Sequence, residues 1–108
     1  MIYTNDQIRQ IVKPIAEKHG LPAVYIFGSY ARGTATEESD IDLLVDTTGT
    51  ALRSLFALGG LYNDLDEAFD KPVDMVTLSA IEQNTTRPSQ LLFRENIMRE
   101  RRKIYAVS

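Results

Sequence analysis

The chain has 108 residues, 44% hydrophobic and 25% charged, a length suited to one domain that buries roughly 65% of its unfolded surface. Twelve Lys and Arg against fifteen Asp and Glu give a net charge of -3, which excludes a generally basic nucleic-acid coat, while the hydrophobic content excludes wholesale disorder. With no cysteine and one histidine, His19, there is no disulfide, thiolate nucleophile, Cys-based zinc site or two-histidine metal site, so any chemistry rests on oxygen ligands.

Asp6, Arg9 and Lys13 interrupt the N-terminus before a signal-type apolar region can form. Thr4 and Asn5 are helix-capping residues, followed by Ile8, Ile11, Val12 and Ile15 at helical spacing. A first helix over about 5–19 is expected, kinked locally at Pro14 and stopped by Gly20. The run from Ala23 to Phe27 reads as a buried central strand, ended by Gly28. It is the longest apolar run in the chain and far below the ~20 residues that cross a bilayer, so the expectation is a cytoplasmic protein with no membrane contact.

A polar stretch, Ser29 to Ser39, leads into a second buried strand carrying Ile41, Leu43, Leu44 and Val45. Residues 51–69 place Leu52, Leu55, Phe56, Leu61, Leu65, Ala68 and Phe69 at helix-like spacing, with a break expected at Gly59-Gly60. After Pro72, Val73, Met75 and Val76 form a third strand, and Ser79 caps a single helical turn through Gln83. Thr86 caps a last helix, opened by Pro88 and running to about Arg101, and Ile104 to Val107 close the chain as a short strand. No repeat or linker divides residues 1–108, which read as one domain. The alternation predicts an α/β sandwich, a small sheet of about three to four strands covered by helices.

One segment carries chemistry. Gly28 ends a buried strand without a side chain to block a ligand, and Ser29 opens a short helix whose free N–H groups can cradle phosphate oxygens. Arg32, one turn on, can add a fork of donors to the same phosphates. Asp40 and Asp42 flank Ile41, so both carboxylates share one face while Ile41 enters the core. Asp74 stands inside the apolar third strand, and if that strand lies beside the second, three carboxylates come together. Such a set suits Mg²⁺, and two ions about 3.5–4 Å apart can stabilise both oxygens of an in-line phosphoryl displacement. A calcium hand is excluded because Leu43-Leu44-Val45 follow Asp42, and neither a P-loop nor a dinucleotide fingerprint is present.

Glycine-serine, then the ten residues from Tyr30 to Ser39, then Asp40-Ile41-Asp42, then Asp74, resembles the signature of the DNA polymerase β-type nucleotidyltransferases. It is most similar to the minimal nucleotidyltransferases, the antitoxin partners of HEPN toxins. Phe27, Ala31-Arg32-Gly33 and Leu43-Leu44-Val45 also match, whereas Phe69-Asp70 stands where relatives commonly show Leu-Gly. The resemblance implies a polymerase β-like fold and AMP transfer from ATP to a tyrosine of a HEPN ribonuclease toxin. It implies triphosphate binding by Gly28 and Ser29, Mg²⁺ held by Asp40 and Asp42, and Asp74 completing the site and deprotonating the acceptor. A non-catalytic antitoxin that acts by occlusion is the alternative. No direct contact with nucleic acid is expected, and homo- and hetero-oligomers both remain open. The basic stretch 94–103 reads as a solvated helix face or a partner patch, and Tyr30 as a neighbour of the nucleotide.

Overall fold

The computed structural model describes residues 2–83 and 87–107. Helix α1 (Asn5–His19) is opened by a capping box: the Thr4 side chain accepts from the Gln7 N–H while the Gln7 side chain accepts from that of Thr4. It runs through Pro14 and ends at Gly20, whose φ of 68° is the left-handed value a C-terminal cap requires. Strand β1 (Ala23–Ile26) and the five-residue α2 (Gly28–Arg32) follow, then β2 (Ile41–Asp46), α3 (Leu55–Ala68), β3 (Val73–Thr77), α4 (Leu78–Gln83), α5 (Pro88–Glu100) and β4 (Arg102–Ala106). The cap expected at Thr86 lies outside the described residues.

The sheet has four strands in the order β3-β2-β1-β4. β1 runs antiparallel to both β2 and β4, which confirms its central place, and β2 pairs parallel with β3 through the α3 crossover. Alternate residues serve two cores. Val24, Ile26, Ile41, Leu43, Val45 and Val73 face α1 and α3 in the larger core. Phe27 and Leu44, with Tyr25 and Val76 beside them, face Ile81 of α4 and Ile97 of α5. Apolar side chains on both faces explain why these strands read as continuous hydrophobic runs. Among the described residues, no helix is long and apolar enough to cross a membrane.

Several local expectations are corrected. The helix expected over 51–69 begins only at Leu55, capped by the Ser54 side chain, and it continues unbroken through Gly59 and Gly60. Tertiary contacts outweigh the propensity cost: Leu61 and Leu65 on the inner face are buried to 0% and 1% exposure. Leu55 and Phe56, expected on that face, stand outside it at 89% and 93% exposure. Thr77, not Ser79, caps α4, accepting from the Ala80 N–H at 3.2 Å. The Phe69-Asp70 departure finds its partner in Tyr3, whose ring meets Phe69 edge-on at 5.3 Å and whose hydroxyl donates to the Asp70 carboxylate. That bond raises the pKa of the Tyr3 phenol and lowers that of Asp70.

A methyl group at Gly60 would meet nothing within 4 Å. Gly60→Ala is therefore expected to stabilise the domain by about 1 kcal/mol through helix propensity, read as a higher midpoint in urea with unchanged slope. A lower midpoint would mean that α3 is not a continuous helix there.

Candidate active site

The sequence turns sharply where β1 hands over to α2. Gly28 has φ 69°, a backbone conformation that L side chains rarely adopt. A second constraint coincides with the first: a Cβ at Gly28 would come within 2.1 Å of Asp42 Oδ2. The Phe27 N–H donates to the Asp42 carbonyl at 3.1 Å, tying the turn to β2. Among the described residues, no side chain caps α2, so its first N–H groups have no side-chain acceptor there.

Parallel pairing of β2 with β3 sets Asp42 directly opposite Asp74. By strand alternation both project to the face that carries Leu44 and Val76, the side covered by α4 and α5. Asp40 precedes β2 on the same face. Burial first, then the charges of Asp74 and Asp40, push the Asp42 carboxyl up to about 6, with Arg32 opposing the shift. β3 lies beside β2, the condition on which Asp74 joins the other two acids. The three acids do not converge, however: among the described residues, no group of three or more His, Asp or Glu side chains is arranged to hold a metal ion as it stands. Asp40 and Asp74 are exposed, where mutual repulsion favours splayed carboxylates. The donor chemistry still fits a hard divalent cation, since every candidate ligand is a carboxylate and Gly28 leaves Asp42 the room a side chain would fill.

A cleft of about 370 Å³ runs from this point, lined by Gly28, Ser29, Arg32 and Asp42 on one side and by Phe93, Asn96 and Glu100 of α5 on the other. Arg32 is held there by Glu100 at 3.0 Å. The α5 residues escaped sequence reading because they lie more than sixty positions from Ser29, and a helix face at that distance carries no local signal. Tyr30 does not face the cleft. It is buried, and its hydroxyl accepts from Lys71 Nζ at 3.0 Å.

A family model described as nucleotidyltransferase domain matches residues 8–104. A relative from Methanocaldococcus jannaschii is 42% identical over 76 residues, covering 70% of this chain and 80% of that protein. Protein adenylyltransferase MntA of Thermococcus cleftensis is 33% identical over 75 residues, 69% of this chain and 74% of its own. Two solved structures share the fold. One, a toxin–antitoxin with AMP-PNP, has TM-score 0.68 at 22% identity, covering 93% of this chain and 74% of that one. The other, a tri-AMPylated Shewanella oneidensis HEPN toxin in complex with MNT antitoxin, has TM-score 0.64 at 19% identity, covering 96% and 74%.

Two glycines separate the constraints at this site. Gly33, at φ 78°, has open space around a Cβ, so Gly33→Ala tests backbone strain alone, roughly 1–2 kcal/mol. Gly28→Ala adds the collision with Asp42 and is expected to cost more than Gly33→Ala in thermal melts and to weaken ATP binding as well. Equal losses in the two variants would contradict the close approach of Gly28 and Asp42.

Proposed function

The chain belongs to the nucleotidyltransferase domain family, and we propose that it transfers AMP from ATP to a tyrosine hydroxyl of a HEPN-type partner protein, silencing that partner as its antitoxin. One observation carries the reading: Asp42 and Asp74 stand opposite each other in parallel register, with the Gly28-Ser29 turn pressed against Asp42 in the same cleft. The names of the Thermococcus relative and of the HEPN complex support the adenylyl group and the class of partner. A cytoplasmic setting fits a chain without cysteines.

In this reading the triphosphate lies along the open start of α2, held by the Gly28 and Ser29 N–H groups and the Ser29 hydroxyl. It competes with Glu100 for the Arg32 guanidinium. Phe93 and Asn96 of α5 border the nucleotide from across the cleft. Asp40, Asp42 and Asp74 would hold Mg²⁺, which when bound neutralises charge developing on the transferring phosphoryl group. The acceptor oxygen attacks the α-phosphorus, the bond to the bridging pyrophosphate oxygen breaks, and Asp74 takes the acceptor proton. Asp74, exposed on the edge strand β3, lies where a protein-borne hydroxyl can reach it.

The test is intact-mass spectrometry of a candidate HEPN-type partner protein, incubated with MgATP and either wild type or Asp42→Asn. Wild type is expected to add AMP units of mass, and Asp42→Asn to lower the rate by at least a hundredfold while still binding the partner. Ser29→Ala, which removes one oriented donor, is expected to cost on the order of 3 kcal/mol in transfer. If neither wild type nor Asp42→Asn adds mass and both neutralise the partner, the domain acts by occlusion and the enzymatic reading fails.

A further inference from the structure

Lys71 is the one buried charged side chain among the described residues, at 9% exposure. A buried ammonium is costly unless its three N–H donors find acceptors. Here they meet the Tyr30 hydroxyl at 3.0 Å, the Thr36 carbonyl at 3.0 Å and the Ser39 carbonyl at 3.4 Å. The ammonium also lies 5.5 Å from the centre of the Tyr30 ring. None of these partners is a carboxylate, so the contact is not an ion pair holding two surfaces together. Two of the three acceptors are backbone carbonyls.

One of these carbonyls adjoins a proposed metal ligand. Ser39 immediately precedes Asp40, and its carbonyl accepts from Lys71. Ile41 immediately follows Asp40, and its N–H donates to the Pro72 carbonyl at 2.9 Å. Asp40 is therefore gripped on both sides by consecutive residues of the α3–β3 turn, while its own side chain is exposed. The same ammonium reaches α2 through Tyr30, next in the chain to Ser29, and Lys71 lies three residues before Asp74. Three segments with no covalent proximity, bearing Ser29, Asp40 and Asp74, meet at one side chain. Within the Thr36–Ser39 turn, the Thr36 N–H donates to Ser39 Oγ at 2.8 Å.

We propose that Lys71 is a positioning residue, a buried strut that sets Asp40 against Asp42 and Asp74 and fixes the phosphate-binding turn relative to them. This rests on the reading of the three acids as a cation site. Lys71 touches no reacting atom. It acts through Asp40, and its loss should behave as a loss of Asp40's contribution.

The experiment compares wild type, Lys71→Met, Lys71→Arg, Asp40→Asn and the double variant Lys71→Met/Asp40→Asn, all as the full chain. Circular dichroism and melts in EDTA measure the folded fraction. Mn²⁺ affinity in the presence of AMP-PNP is read by electron paramagnetic resonance, and amide hydrogen exchange is read without metal. Lys71→Met is expected to weaken Mn²⁺ about tenfold or more, as outer partners of metal ligands generally do, with Lys71→Arg recovering most of the loss. The double variant should bind no more weakly than Asp40→Asn alone, because the two residues act as one unit. Exchange in Lys71→Met should accelerate over residues 36–41 and stay unchanged in β1 and α1. Mn²⁺ affinity within twofold of wild type, losses that simply add, or unaltered exchange over 36–41 would each overturn the proposal. If wild type itself holds no Mn²⁺ with the nucleotide, the cation reading of the acids fails, and the exchange measurement alone decides whether Lys71 fixes the turn. Should Lys71→Met not fold, Tyr30→Phe, which removes one of the three acceptors, takes its place with the same expectations at smaller amplitude.

Discussion

A carboxylate facing a carboxylate across neighbouring strands is the feature around which the rest of the site is arranged. Like charges placed opposite in a sheet cost roughly 0.2–1 kcal/mol, and a sheet can usually escape by slipping register. Here it cannot. A slip of one residue in β2 would carry Ile41, Leu43 and Val45, all at 0% exposure, out of the larger core. Each fully buried side chain of that kind is worth about 1.5–3 kcal/mol, so three of them outweigh the repulsion several times over. The hydrophobic pattern on one face of β2 thus holds Asp42 against Asp74 on the other. Burial first, and then the charges of Asp74 and Asp40, push the Asp42 carboxyl up to about 6.

Everything else in the site conforms to that fixed pair. Gly28 is required twice over, by its positive φ and by the approach of Asp42 Oδ2. Among the described residues no side chain caps the start of α2, and α5 closes the far side of the cleft with Phe93, Asn96 and Glu100. The positive ends available to an anionic ligand are a helix start and Arg32, both adjacent to the carboxylates. A triphosphate with its cation is the kind of ligand that satisfies such alternating charge.

The parts legible in the sequence were those encoded locally. Gly28, Ser29, Asp40 and Asp42 fall within fifteen consecutive residues and their chemistry follows from strand alternation and turn geometry. The adjacency of Asp74 needed one further step, a parallel pairing through α3, and that pairing is present. What escaped were contacts made across the chain. Lys71 carries no sequence signal, because nothing in its neighbours announces a bond to Tyr30, forty-one positions away. Tyr30 was placed beside the nucleotide by proximity to Ser29, but in a helix of five residues the next side chain points inward. Leu55 and Phe56 matched the helical period yet lie where α3 begins, beyond the sheet they were expected to cover. Gly59 and Gly60 suggested a break that packing of Leu61 and Leu65 overrides. Local propensity is worth about 1 kcal/mol per glycine, less than one buried leucine.

The central claim is that three acids from two neighbouring strands and the turn before them form a single cation-dependent phosphoryl-transfer centre with the Gly28-Ser29 turn. The most direct measurement is a crystal structure grown with Mn²⁺ and AMP-PNP, with the metal located by anomalous scattering. The account predicts anomalous peaks bridging Asp42 and at least one of Asp40 and Asp74, with the triphosphate on the Gly28 and Ser29 N–H groups. A nucleotide bound away from Ser29, or Mn²⁺ held elsewhere on the surface while the three acids stay splayed, would contradict it.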